Sequence, residues 1–164
     1  MPTTTFATAL GVCALAWNDA GLTGFFLPGA YPGFPDAATH DFAPPSWIAT
    51  LVTRVQRHLN GEAEDFADLP YDFGGMPAFQ RAVLQATLTV KSGHTATYGE
   101  IAATLGQPPG ASRAVGTALG ANPWPLLIPC HRIVAANGKM TGFSGPGGIA
   151  TKTQLLALEG ARLL

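Results

Sequence analysis

Hydrophobic and polar residues alternate near the start of the chain in the pattern of β-strands. The segment TALGVCALAWNDAGLTGFFLPGA contains two runs rich in Val, Leu, Trp and Phe, separated by the turn-forming residues 18–21. This pattern predicts a β-hairpin. Four prolines and a glycine between Tyr31 and Ser46 then favour an irregular crossing segment.

The segment WIATLVTRVQRHLNG predicts the first helix, because its apolar residues recur at helical spacing and Gly61 follows as a stop. These apolar residues are Trp47, Leu51, Val55 and Leu59. The acidic, turn-rich stretch EAEDFADLPYDFGGMP comes next and is typical of a linker. We therefore expect two domains, residues 1–75 and residues 76–164, with the boundary near Gly74 and Gly75.

The second half of the chain predicts a helical domain. In PAFQRAVLQATLTV, Pro77 occupies a first-turn position that helices tolerate, and three apolar residues lie near one face. These residues are Phe79, Val83 and Leu88. In TATYGEIAATLG, Thr97 and Glu100 are spaced as a capping box and Gly106 ends the helix. Its inward-facing residues are Ile101 and Leu105.

The next segment, ASRAVGTALGANP, has Val115 and Leu119 at helical spacing and Gly120 as its stop. Together with the preceding helix it resembles a helix-turn-helix, a motif that often binds DNA. On this pattern alone an ordinary helical hairpin is the commoner structure.

The two halves of the chain carry net charges of opposite sign. Residues 1–75 carry eight acidic and two basic side chains, a net charge of −6, whereas residues 76–164 carry seven basic and two acidic side chains, a net charge of +5. A polyanion such as nucleic acid is attracted by the second half and repelled by the first. We therefore expect any nucleic-acid contact to lie in the second half.

The bulk composition is that of a globular protein, with 164 residues of which 47% are hydrophobic. No apolar run approaches the length of a membrane span, and the start MPTTTFATALGVCALAW lacks the basic residues that open a secretory signal. A cytoplasmic location is therefore expected. The two cysteines, Cys13 and Cys130, lie far apart, and the histidines show no metal-ligand spacing with them.

The segment PWPLLIPCHRIV places Cys130 between a proline and His131, after an apolar run that by itself raises a thiol pKa. His131 is positioned to take the proton, Arg132 and helix ends to favour the thiolate, and a carboxylate to orient the imidazole. We predict that Glu159 is this carboxylate, because the other acidic residue of the second half, Glu100, already caps a helix. Without further information, a buried structural cysteine is the commoner interpretation of such a pair.

The run IPCHRIV, with ANPWP before it and GFSG after it, resembles the O6-alkylguanine-DNA alkyltransferase family. The resemblance extends from PAFQRAV through YGEIAATLG and SRAVGTALGANP to LLALEG, and is looser over the first 75 residues. It implies an α+β fold, with a small ribonuclease H-like N-terminal domain of structural role and a winged helix-turn-helix C-terminal domain. It also implies repair by one irreversible transfer of the O6-alkyl group of guanine to Cys130, without metal or cofactor.

The resemblance implies roles for further residues. His131 is then the base, acting through a water molecule; Glu159 orients it, and Asn122 braces the hinge. Tyr98 donates a proton to guanine N3, and Arg113 fills the gap that the flipped nucleotide leaves in the base stack. The remaining implied residues are Ser112, Ala114 and Gly116 for DNA contact, and Pro125, Ile133, Phe143 and Ser144 for the guanine pocket.

The implied partner is double-stranded DNA containing O6-alkylguanine, bound by a monomer without an obligate protein partner or a membrane. Two departures from the family pattern bear on substrate range. Phe143 stands where many relatives carry tyrosine, and the segment FSGPGGIATK is two residues longer before Lys152 than the family form.

Three other functions fit parts of the sequence. A non-enzymatic alkylation-damage sensor would keep the helix-turn-helix and Arg113 but replace Cys130. A thiol hydrolase would use Cys130, His131 and Glu159, although no oxyanion motif accompanies them. A winged-helix regulator would bind one DNA sequence tightly and leave the Cys-His motif unexplained.

Overall fold

A computed structural model describes residues 2–30, 34, 43–137, 143 and 146–161. The first half contains an antiparallel sheet in the order β1-β2-β3, formed by Thr3–Thr8, Gly11–Asn18 and Gly21–Phe26. The predicted hairpin is confirmed as β2 and β3, which pair from Ala14 with Phe26 to Asn18 with Gly21. The sequence pattern missed β1, because its residues TTTFAT show little apolar and polar alternation.

Helix α1 (Ser46–Leu59) forms where the apolar spacing predicts a helix, and it packs against β1. Ile48, Leu51, Val55 and Leu59 are buried, while Trp47 is only partly covered. Gly61 follows the helix with a φ of 95°, a left-handed conformation that glycine adopts without the Cβ penalty of other residues.

The predicted linker is anchored to the sheet. The backbone N–H of Leu22 donates to the carbonyl of Pro70 (2.7 Å), and the N–H of Asp72 donates to the carbonyl of Leu22 (2.9 Å). Phe66 is buried in the core. The acidic segment is therefore bonded through its backbone to β3 at Leu22 and anchored in the core by Phe66.

The described part of the second half contains four α-helices and a two-residue parallel strand pair. The helices are α2 (Ala78–Thr87), α3 (Tyr98–Thr104), α4 (Ser112–Gly120) and α5 (Gly148–Leu158). Strand β4 (Ala96–Thr97) pairs in parallel with β5 (Ile133–Val134). The crossing segment expected between Tyr31 and Ser46 lies mostly outside the described residues.

The inward face of α2 differs from the one predicted. Phe79 is 37% exposed, and the buried residues are Val83, Leu84, Ala86 and Thr87. Phe79 lies in the first turn of α2, whereas Val83 is buried and Leu88 packs against the core, as predicted. By contrast, the capping box of α3 is confirmed, with the Thr97 side chain accepting from the Glu100 N–H and the Glu100 side chain accepting from the Thr97 N–H.

Buried residues of both halves form one continuous hydrophobic core in the described part of the chain. Trp124 connects the halves directly, since its indole N–H donates to the carbonyl of Leu22 (3.2 Å). The fold is thus a mixed α and β structure. No helix among the described residues is both long and apolar enough to cross a membrane.

Candidate active site

Cys130 begins a short 3-10 helix (Cys130–Arg132) that leads into β5. The Asn122 side chain braces the loop before it, donating to the carbonyl of Ile128 (2.9 Å) and accepting from the N–H of Trp124 (2.9 Å). Within this loop, buried Leu126 adopts a φ of 80°. A conformation of this kind costs roughly 1–3 kcal/mol and persists only where the surroundings impose it. The brace at Asn122, predicted from the family resemblance, is consistent with this loop geometry.

Cys130 is partly exposed, although the residues on both sides of it are buried. Burial raises the pKa of its thiol, while a hydrogen bond from Asn122 and the positive charge of Lys152 act in the opposite direction. Cys13 is fully buried in β2, and burial raises its pKa to about 11. The two thiols therefore differ in access, and Cys130 is the one positioned to react.

His131 is fully buried and donates from Nε2 to Oε2 of Glu159 (2.9 Å). An ionised carboxylate only accepts, so the ring proton lies on Nε2 and Nδ1 is an acceptor. Nδ1 has no hydrogen-bond partner in the described part of the protein. Burial lowers the pKa of His131 and outweighs the opposing effect of Glu159. The ring is therefore a neutral base with one free acceptor nitrogen.

The Glu159 carboxylate, at the end of α5, is 1% exposed and accepts four hydrogen bonds. Arg132 donates two of them, to Oε1 and Oε2 (both 2.9 Å), and His131 and His58 donate the others to Oε2. Burial raises the pKa of Glu159, but these donors outweigh it and hold the pKa well below its usual range. Glu159 is therefore an anion at neutral pH, and the structure brings it to His131 as predicted.

His58 is a member of the site that the sequence analysis missed. It lies on α1, and its Nε2 is 2.8 Å from Oε2 of Glu159. The N–H of Glu64 donates to Nδ1 of His58 (3.1 Å), which places the ring proton on Nε2, facing the carboxylate. The two residues are 101 positions apart in the sequence, so no local pattern indicates their contact.

Arg132 has a different role from the one expected. Its guanidinium donates to Glu159, to Oδ1 of Asp65 (2.9 Å) and to the carbonyl of Val90 (2.7 Å). None of the interactions that shift the pKa of Cys130 comes from Arg132. The prediction that Arg132 favours the thiolate is therefore wrong, because two carboxylates and a carbonyl hold its charge elsewhere.

Lys152 supplies the positive charge near Cys130. This buried side chain on α5 donates to the carbonyl of Ile133 (2.6 Å), and its Nζ lies 5.9 Å from the ring centroid of Tyr98. Burial lowers the pKa of Lys152, and Cys130 acts to raise it. In the sequence, Lys152 follows the longer segment FSGPGGIAT, and no local pattern around it indicates that its side chain is buried.

The residues predicted to contact DNA lie on α3 and α4. Tyr98 is partly buried at the start of α3, where a Cβ at Gly116 would lie 3.7 Å from the Tyr98 ring. Arg113 and Ala114 are exposed on α4. Ser112 donates from Oγ to the carbonyl of Pro109 (2.9 Å) at the turn between the helices.

The structure describes all of the predicted pocket residues except one. Pro125 and Cys130 both line a cavity of about 260 Å³, and Phe143 packs against the core. Ile133 is buried, and its carbonyl accepts a hydrogen bond from Lys152. Ser144 lies outside the described residues. Among the described residues, no cluster of three or more His, Cys, Asp or Glu side chains is arranged to hold a metal ion.

The fold and the site together define a mixed α and β protein with an accessible cysteine, backed by a buried histidine and glutamate, beside a pair of packed helices. Residues 78–161 match the family model described as 6-O-methylguanine DNA methyltransferase, DNA binding domain. The chain belongs to this family.

Relatives match nearly the whole chain. The methylated-DNA-protein-cysteine methyltransferase of Mycobacterium bovis is 37% identical over 96% of this chain and 92% of its own length. The protein of the same name from Methanothermobacter thermautotrophicus is 36% identical over 91% of this chain and 80% of its own. The crystal structure of Mycobacterium tuberculosis OGT in complex with DNA is 37% identical and superimposes with a TM-score of 0.81, covering 98% of this chain and 93% of that one.

Proposed function

We propose that this protein repairs alkylated DNA directly, by moving the alkyl group from O6 of guanine to Sγ of Cys130, once per molecule. The observation that carries the proposal is the arrangement of Cys130, His131 and Glu159. A partly exposed thiol is followed by a buried histidine whose Nε2 is held by an ionised carboxylate and whose Nδ1 is free to accept. This is the order of nucleophile, base and orienting group that thiol activation requires.

In the proposed reaction the thiol proton of Cys130 passes through a water molecule to Nδ1 of His131. Glu159 stabilises the resulting imidazolium, and Lys152 stabilises the thiolate. The thiolate attacks the alkyl carbon, so that a C–S bond forms while the C–O6 bond breaks. The electron pair of that bond goes to O6 and the purine takes up a proton, which restores guanine.

Tyr98 is the proposed proton donor to guanine N3, which makes the purine a better leaving group. Its position at the start of α3, next to Gly116 and near Lys152, supports this role. The product is a thioether on Cys130, a bond without a common cellular route of cleavage. Each molecule is therefore expected to react once.

DNA binding is assigned to the second domain, residues 76–164, as a winged helix-turn-helix. Support comes from the packing of α3 against α4, from the exposed Arg113 and Ala114 on α4, and from the net charge of +5. Ser112 and Gly116 lie on the same helix, and Arg113 would replace the flipped nucleotide in the base stack. The ribonuclease H-like character of residues 1–75, the monomeric state and the cytoplasmic location belong to the same proposal.

Intact-protein mass spectrometry tests the transfer. The purified chain is mixed with a short duplex containing one O6-methylguanine, and peptides are then mapped. We expect one methyl group per molecule, on Cys130. Cys13→Ala is the matched control and should still be methylated, whereas Cys130→Ala should not.

Binding to the lesion without a change in mass would contradict the proposal and identify the protein as a damage sensor. Tight binding to one DNA sequence that survives Cys130→Ala, with no thiol consumed, would identify a regulator instead.

A further inference from the structure

Two histidines share one oxygen of the Glu159 carboxylate. Among the described residues, Oε2 accepts three hydrogen bonds, whereas Oε1 accepts one. The donors to Oε2 are Nε2 of His58 (2.8 Å), Nε2 of His131 (2.9 Å) and the guanidinium of Arg132 (2.9 Å). The oxygen that orients the proposed base is therefore shared with two other donors.

The two imidazoles differ at their other nitrogen. Nδ1 of His58 accepts from the backbone N–H of Glu64 (3.1 Å), whereas Nδ1 of His131 has no hydrogen-bond partner in the part of the chain that the structure describes. An imidazole that accepts at Nδ1 and donates at Nε2 has no free lone pair. His58 is therefore held as a donor to the carboxylate, and of the two rings only that of His131 has a nitrogen free to take up a proton.

The acidic segment fixes the orientation of the His58 ring. The ring contacts buried Phe66 edge to face, with 5.7 Å between the two centroids. Glu64, whose N–H donates to Nδ1 of His58, is itself held by an ion pair between its side chain and Arg54 (2.6 Å). His58 is therefore oriented by neighbours that take no part in the proposed reaction.

His58 and Glu159 act on His131 in opposite directions. Burial lowers the pKa of His131 most strongly; Glu159 acts to raise it, while Arg132 and His58 act to lower it. A donor to the carboxylate stabilises its negative charge, so the carboxylate binds the proton of an imidazolium less strongly. Asp65 offsets part of the charge of Arg132, with 2.9 Å between them.

We propose that His58 is a positioning residue that limits proton transfer from Cys130 to His131 by occupying Oε2 of Glu159, so that the protein without DNA keeps its nucleophile mainly as the thiol. This inference deepens the proposed function and rests on it. No covalent step is added. The thiol proton still passes through water to Nδ1 of His131, and His58 changes only how strongly Glu159 stabilises the imidazolium.

Variants of His58 separate its donor from its ring. His58→Phe keeps a ring against Phe66 and removes the donor, whereas His58→Gln keeps an N–H donor in place of Nε2. His94→Phe, at an exposed position, is the matched control. All are made on a Cys13→Ala background, which leaves one thiol, and the rate of alkylation by iodoacetamide is measured against pH without DNA.

We expect the midpoint of alkylation in His58→Phe to fall by about half a pH unit to one unit, because Glu159 then stabilises the imidazolium more strongly. His58→Gln and His94→Phe should keep the wild-type midpoint. A merely structural role for His58 predicts the opposite sign, since a displaced Glu159 supports the imidazolium less and the midpoint rises.

An unchanged or raised midpoint in His58→Phe, or an equal fall in His58→Gln, would overturn the inference. Urea unfolding checks that each variant is folded over the pH range used. Long-range 1H–15N NMR of the wild-type chain tests the same point without a substitution: the ring proton of His58 should lie on Nε2, and a proton on Nδ1 would also overturn the inference.

Methyl transfer from duplex DNA to Cys130 is measured separately by mass. Its absence in the wild-type chain would overturn the proposed function, whereas the alkylation profiles alone decide whether His58 acts on the thiol.

Discussion

The Glu159 carboxylate is a buried charge satisfied entirely by side chains. Its three donor residues come from two parts of the chain: His58 lies on α1, and His131 and Arg132 lie on the 3-10 helix that begins at Cys130. Arg132 is itself neutralised by Asp65. A buried charge without such partners costs several kcal/mol, so these donors make an anion possible at this position. The anion in turn determines which nitrogen of His131 is free.

Replacement of Glu159 by glutamine should raise the pKa of Cys130. The neutral amide no longer stabilises a positive charge on His131, so the thiolate loses the partner that takes its proton. We expect the midpoint of thiol alkylation by iodoacetamide to move up by about one pH unit, the usual size of a nearby-charge effect.

The alkylation profile is best measured on a Cys13→Ala background, which leaves one thiol. Glu100→Gln is the matched control, because its side chain caps α3 at an exposed position and should leave the profile unchanged. An unchanged profile in Glu159→Gln would mean that the carboxylate does not act on Cys130 through His131.

At the scale of elements, α3 and α4 have different proposed roles in the reaction with DNA. Helix α3 begins at Tyr98, close to Lys152 and hence to the reacting centre, while α4 presents Arg113 to solvent. The short turn at 109–111 holds the two helices against each other. A flipped nucleotide would therefore lie near the proposed proton donor on α3, while Arg113 on α4 would fill the gap that it leaves in the base stack.

Arg113→Ala should slow methyl transfer from duplex DNA by about tenfold or more, because base flipping costs a few kcal/mol and the variant lacks the group that offsets it. Reaction with free O6-alkylguanine should change little, since no base needs to be flipped. Both rates are measured under single-turnover conditions.

Arg81→Ala removes the same charge from an exposed position on α2 and serves as the control. Its effect on the duplex reaction should be small and should shrink as salt is raised. Equal losses on duplex and free base in Arg113→Ala would exclude a role in flipping.

At the scale of the whole molecule, both halves of the chain build one core and one site. The first half contributes His58, the acidic segment contributes Asp65, and the second half contributes the nucleophile and its base. The site therefore forms only in the folded chain, and its buried titratable groups make the free energy of unfolding depend on pH.

The stability of the protein should decrease as pH falls below neutrality. The pKa of His131 is below its ordinary value in the folded state, so the unfolded chain takes up a proton near pH 6.5 that the folded chain does not. The pKa of Glu159 is also depressed, so its contribution is present above about pH 4.3 and is lost below it. Urea unfolding at a series of pH values measures both effects.

His131→Gln should make the free energy of unfolding depend less on pH between pH 7 and pH 5. His94→Gln, at an exposed position, should leave this dependence unchanged. A wild-type free energy of unfolding that stays constant over this range would show that His131 gains no proton on unfolding.

The sequence by itself determined the elements whose causes are local. The hairpin of β2 and β3, the capping box of α3 and the glycine after α1 each depend on residues within a few positions of one another. The motif that contains Asn122, Cys130 and His131 is likewise local, because these residues lie within a segment of ten. The family match confirmed the resemblance that this motif carries.

Only the tertiary structure decided which groups surround those residues. Helices and loops distant in sequence pack at the site and bring His58, Asp65 and Lys152 to it. For the same reason Arg132 donates to Glu159 and Asp65. Burial and the choice of charge partner depend on packing among segments up to 101 residues apart, which a local pattern of apolar and polar residues does not encode.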